Sequence, residues 1–193
     1  MNPMVLHESS RGFDAYTEES SLFRHRMIFF NDEVNSDSCK ALIESLLHLD
    51  MEMPGEEILI LLNSPGGSVI DGLAVYDTMQ TLKSPVKCIV AGIAASMGSI
   101  IFCGAKERLM LTHSKLLIHE PFRAGISGTK HALELEKEAA ELMEYRQILA
   151  GIIAKHSGRT LQEVLDKTKE DCLMNAKQAI EFGIATGVCK EFY

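Results

Sequence analysis

The sequence holds no stretch approaching eighteen uninterrupted apolar residues, so no membrane span is expected. It lacks a basic region followed by a long apolar run near Met1, so no signal peptide is expected either. It also lacks any lysine- or arginine-rich run: 19 basic residues stand against 27 acidic ones, for a net charge of −8. Phosphate backbones demand concentrated positive charge, which makes nucleic acid a poor partner. There is no Walker A loop, so the chain is not expected to bind nucleotide. No CxxC pair occurs among five cysteines, an odd number, and Cys39, Cys88 and Cys103 stand in apolar contexts. That disfavours a disulfide framework or a zinc site and fits reduced core thiols of a cytoplasmic protein. The histidines show no metal-ligand spacing. There is no internal repeat and no linker, so residues 1–193 are expected to form one domain with its own core.

What is present is ordinary globular composition, 46% apolar and 24% charged. Residues 6–21, "LHESSRGFDAYTEESS", are polar and without clear periodicity, and read as a mobile N-terminal segment. "RMIFF" (26–30) reads as a short buried strand. "SDSCKALIESLLHL" has helical spacing of apolar residues, with Asn35 or Ser36 as N-cap. "ILILLN" (58–63) is a continuous apolar run that suits a strand covered on both faces. "SPGGS" interrupts it and "VIDGLAVYDTMQTLK" continues as a helix. "VKCIVAG" is a third strand, "AASMGSIIFCGA" a short helix, and "KLLIHEP" a strand that Pro121 ends. Strands alternating with helices predict α/β units and a mostly parallel sheet. Residues 129–156 form one long helical pattern, closed by Gly158 as C-cap. At 1.5 Å per residue it would run about 40 Å. That length favours a helix that projects and is buried by another subunit over one folded back on its own domain.

Four features could carry chemistry. Ser96, in "GIAASMGSII", follows a strand and opens a helix, near free N–H groups and the positive end of the helix dipole. It is either a small packing residue or a nucleophile on a tight turn, although its flanks are not G-x-S-x-G. "NSPGGS" (63–68) is either a plain turn or a backbone clamp for a carbonyl or an extended peptide. His119 ends an apolar strand, where α/β sheets bind ligands, or else is structural. "DKTKEDCLM" offers Asp166, Glu170 and Asp171 as an acid to orient an imidazole, and spacing does not choose among them. Together these are the parts of acyl-transfer chemistry.

"NSPGGSVIDGLAVYDTMQ", "AASMGS", "LIHEP" and "ED…NAKQAIEFG" resemble the ClpP family, the proteolytic subunits of the ATP-dependent Clp protease, over nearly the whole chain. The resemblance implies a ClpP/crotonase-type α/β fold: stacked ββα units with a protruding handle helix over 129–156 and a gating segment over 1–21. It implies a serine endopeptidase with Ser96 as nucleophile, His119 as general base and Asp171 as orienting acid. The backbone N–H groups of Gly67 and Met97 would form the oxyanion hole. No cofactor or metal is implied, since ATP is used by the partner unfoldase. The implied assembly is two stacked heptameric rings, a tetradecamer, fed with unfolded polypeptide by an AAA+ unfoldase such as ClpX, ClpA or ClpC.

The chain departs from that pattern in three places. Leu59, Leu61 and Leu109 stand where the family usually carries aromatics that receive unfoldase loops, though Tyr76 is present. Glu170 replaces an arginine before the catalytic acid. "HEP" replaces the commoner "HQP", which raises a contact from Arg123 to Glu120 or Glu170 as a substitute ring interaction. These departures leave an alternative, a weakly active isoform that works in a mixed ring with a second ClpP subunit. A crotonase-type acyl-CoA enzyme shares the fold, but the Ser96 and His119 motifs and the short chain argue against it.

Overall fold

The continuous apolar runs become the middle of a sheet because each of their residues is covered on one face or the other. A computed structural model describes residues 4–9, 12–122 and 131–192 of the chain. Its first elements are an antiparallel hairpin, β1 (Met4–Ser9) and β2 (Gly12–Thr17), with Met4 opposite Thr17 and Ser9 opposite Gly12. The polar N-terminal run thus takes up strand pairing that its sequence, without alternation, does not announce. Thr17 caps the next helix, α1 (Glu18–Arg24), by accepting from Ser20 N–H.

The main sheet then builds up by alternation. Strand β3 (Met27–Phe30) leads to helix α2 (Ser36–Glu52), and β4 (Ile58–Ser64) leads to α3 (Val69–Thr81). Strand β5 (Val86–Ala95) leads to α4 (Met97–Gly104), followed by β6 (Glu107–Met110) and β7 (Lys115–Ile118). Helices α5 (Ala132–Ser157) and α6 (Leu161–Lys167), strand β8 (Cys172–Asn175), helix α7 (Ala176–Phe182) and the short β9 (Gly187–Val188) complete the described chain. The order β3-β4-β5-β6-β9 is parallel throughout. Strand β5 is long enough to serve two neighbours: Lys87–Val90 pair with β6, and Ile93–Ala95 pair with β7. Strand β8 joins β7 antiparallel, with Ile118 opposite Cys172.

The switch of partner needs a bend in β5, and Asn63 supplies its support. The β4–β5 register slips after Leu62. There Ile93 N–H donates to Asn63 Oδ1 at 2.9 Å, which satisfies an amide the ladder has abandoned. Gly92 is required opposite it, because a Cβ would collide with Asn63 Oδ1. Strand β5 continues to Ala95, so the helix expected from the "AASMGS" run starts at Met97.

Side chains on alternate residues of β4 and β5 separate two apolar layers. Ile58, Ile60, Leu62, Cys88 and Val90 face α2, α3 and α4, joining Leu46, Ile101 and Phe102 in one buried core. Burial of each such side chain contributes about 1.5–3 kcal/mol. On the opposite face Met27, Leu59, Ile89 and Cys189 form a smaller cluster flanked by Leu22, Leu61, Leu109 and Leu111. Helix α2 starts where the sequence predicts, at an Asn35 capping box with Ser38.

Helix α5 is 26 residues long and ends at Gly158, whose φ of 71° is open to glycine at low cost. Among the described residues, its buried positions, Leu149, Ala150 and Ile153, all lie in the C-terminal half. Its first half stands in solvent, with Leu133 71% and Met143 53% exposed. Among the described residues, no helix is long and apolar enough to cross a membrane.

Candidate active site

Ser96 occupies the single residue between strand β5 and helix α4. Its φ of 53° and ψ of −121° are a conformation that residues bearing a Cβ avoid. The turn is held on both sides: Ser96 N–H donates to Leu117 O at 2.9 Å, and Ser96 O accepts from both the N–H and the hydroxyl of Ser99. The strained backbone keeps the side chain at the head of the helix. Among the described residues its hydroxyl makes no hydrogen bond.

The double glycine packs onto this turn. A Cβ on Gly66 would lie 2.5 Å from Ser96 Cβ and 2.6 Å from Ala95 O, so only glycine permits the approach. On the other side Val34 N–H donates to Gly66 O and Val34 O accepts from Ser68 N–H, both at 2.8 Å. In such a parallel bridge the intervening residue turns its own N–H the other way. Gly67 N–H accordingly has no acceptor among the described residues. Met97, the first residue of α4, has no intrahelical acceptor for its N–H.

Ser96, Gly66, Gly67, Met97 and His119 line one cavity of about 520 Å³. Its remaining wall is largely apolar, with Ile100, Ile118, Leu149 and Ile153, and Glu33 lies at its edge. His119 follows β7, its ring tilted against that of Phe122 with centroids 5.3 Å apart. Its Nδ1 faces Glu120 O within hydrogen-bond distance. A carbonyl only accepts, so Nδ1–H is the donor here; in the neutral ring that leaves the lone pair on Nε2, the tautomer a general base needs.

Asp171 does not line the cavity. It precedes β8, and the Ile118–Cys172 register makes it the next residue opposite His119. The carboxylate is exposed and has no hydrogen bond or ion pair among the described residues. Asp166, another acid considered from the sequence, is taken up by Lys169 at 2.6 Å, and that bond together with one from Gln162 holds its carboxyl below the usual range. Arg123 lies outside the described residues. Glu120 instead accepts from Arg146 Nε at 2.7 Å, a contact the sequence did not disclose because Arg146 reads as one more polar residue in a helical pattern. Among the described residues no group of three or more His, Cys, Asp or Glu is placed to hold a metal ion.

A serine-bearing strand-to-helix turn, a strand-end histidine and two outward amides are the parts that acyl-transfer chemistry on an α/β sheet calls for. The Clp protease family model matches residues 9–192, and the chain belongs to that family of serine peptidases.

Proposed function

We propose that this chain is a serine endopeptidase subunit with Ser96 as nucleophile, His119 as general base and Asp171 as its orienting acid. The observation that carries the reading is the convergence of Ser96, His119, Gly67 and Met97 on one cavity. An extended peptide laid along Gly66–Ser68 would present its carbonyl to the free Gly67 and Met97 amides. Ser96 Oγ attacks the carbonyl carbon while His119 Nε2 takes the hydroxyl proton. The resulting oxyanion is held by the two N–H groups, which cost no reorganisation because the fold already aims them outward. Collapse breaks the C–N bond, and His119 returns its proton to the departing amine. Water, deprotonated in turn by His119, then attacks the acyl carbon; the bond to Ser96 Oγ breaks, and His119 returns the proton to Oγ as the acid leaves.

The subunit would act in stacked heptameric rings. The first half of α5, with Leu133, Leu135 and Met143 exposed, is the apolar surface that a facing subunit would cover. An AAA+ unfoldase would feed unfolded chains through an axial opening flanked by the hairpin of β1 and β2. Leu59, Leu61 and Leu109 share the second apolar cluster, which offers its loops aliphatic seats rather than aromatic ones. The free thiols suit a reducing, cytoplasmic setting. The second reading, a weakly active isoform that needs a sister subunit, is favoured by one observation: His119 and Asp171 are not bonded to each other.

Hydrolysis of a fluorogenic peptide by the purified chain tests the proposal. Replacing Ser96 by alanine is expected to lower kcat by roughly three orders of magnitude or more. Equal rates for parent and variant would defeat it. Activity that appears only on mixing with a sister subunit would select the second reading.

A further inference from the structure

We propose that Glu120 and Arg146 are a positioning pair that parks the His119 imidazole on the Glu120 carbonyl, and that the working enzyme separates them so that Asp171 can take over. The inference rests on the roles given above to Ser96, His119 and Asp171.

The imidazole has one Nδ1–H to give. It faces Glu120 O, so it cannot also serve Asp171. Asp171 is nevertheless the register neighbour of His119 across β7 and β8, and its carboxylate is unengaged. During attack on a substrate the ring becomes a cation. A carboxylate stabilises that cation far better than a neutral carbonyl does. The parked ring is therefore a poised but slower base.

Glu120 is held at several points. Its N–H donates to Thr168 O at 3.0 Å, and Thr168 lies at the end of α6, just ahead of Asp171. Its carboxylate takes a charge-assisted bond from Arg146, whose side chain is only 17% exposed. Pro121 follows and limits rotation of the next residue. Arg146 sits on α5, one turn before Leu149, which lines the cavity. The pair thus ties three things together: the helix that projects from the domain, the segment leading to Asp171, and the acceptor of the histidine proton. A shift of α5 on assembly or substrate entry would draw Arg146 from Glu120 and free the peptide that holds the ring.

The test compares Glu120→Gln, Arg146→Gln and the exchange Glu120→Arg with Arg146→Glu, all in the full chain in its assembled form. Steady-state hydrolysis of a fluorogenic peptide is followed across pH. Either single variant is expected to raise kcat about tenfold with KM little changed. The apparent pKa of the acid limb should rise, because a carboxylate partner favours the imidazolium. The charge exchange should return kcat to the parental level. Adding Asp171→Asn to Glu120→Gln should abolish the gain. A lower or unchanged kcat in both single variants would overturn the proposal. So would a Glu120→Gln enzyme indifferent to Asp171→Asn, since the carbonyl would then be the working partner. Ser96→Ala with undiminished hydrolysis would instead sink the serine peptidase reading beneath it.

Discussion

Ser96 keeps its φ of 53° only because its neighbours hold the turn on every side. The closest of these is Gly66, which itself has a φ of 94°. Gly66→Ala would place a methyl group against Ser96 Cβ in a backbone region that alanine resists. The expected outcome is a loss of about 1–3 kcal/mol in thermal or denaturant unfolding. Because the displaced atom belongs to Ser96, the proposed nucleophile, kcat should fall at least tenfold as well, about 1.4 kcal/mol in the barrier. Gly151→Ala, inside α5 where a Cβ meets nothing, is the control: it should raise stability by about 0.5–1 kcal/mol through helix propensity and leave kcat unchanged. The sequence made Ser96, the double glycine and His119 visible as unusual residues at element boundaries. Spacing left Asp166, Glu170 and Asp171 undivided and only the family resemblance singled out Asp171, because the acid that falls opposite His119 is set by β7 and β8 pairing far apart in the chain.

At the scale of elements, the buried Arg108 ties β6 to the C-terminal ends of three helices, α4, α5 and α7. Its guanidinium donates to Ile184 O at 2.6 Å, Ala105 O at 2.9 Å and His156 O at 3.1 Å. These are carbonyls that helix ends leave without partners, and the negative pole of α5 favours the cation. Arg108→Met should destabilise by about 3 kcal/mol, measured by denaturant titration, because buried acceptors lose their donors. Strand β6 escaped the sequence reading for the same reason: "ERLM" carries two charges where a buried strand should show none. Beside it, His156 is held below its usual pKa, to about 4, first by burial and then by the charges of Arg108 and Lys155. The neutral ring is bonded to Tyr76 Oη at 2.9 Å. A depressed folded-state pKa means that the stabilising contribution is complete above the unfolded value near 6.5 and drains away as pH falls towards 4. Melting temperature should therefore drop across that window, by more in the parent than in His156→Gln. An equal drop in both would assign the acid sensitivity elsewhere.

At the scale of the whole molecule, one chain of 21.4 kDa exposes apolar residues that a monomer has no use for. Leu133 and Leu135 stand exposed on the first half of α5. Their joint replacement by glutamate should reduce the particle seen in sedimentation velocity to a smaller species, with the far-ultraviolet circular dichroism of the protomer unchanged. An undiminished particle would place the subunit contacts on other surfaces. The α/β architecture was legible because apolar runs of strand length alternate with helical periodicity. The hairpin of β1 and β2 was not, since a polar strand carries no period-two signal.

The central claim is that the Ser96 hydroxyl is a nucleophile activated by His119. A fluorophosphonate probe, followed by peptide mass mapping, reads this directly. The account predicts covalent modification at Ser96, with labelling strongly reduced in His119→Ala and lost in Ser96→Ala. Labelling at another residue, or labelling of Ser96 that does not depend on His119, would contradict it.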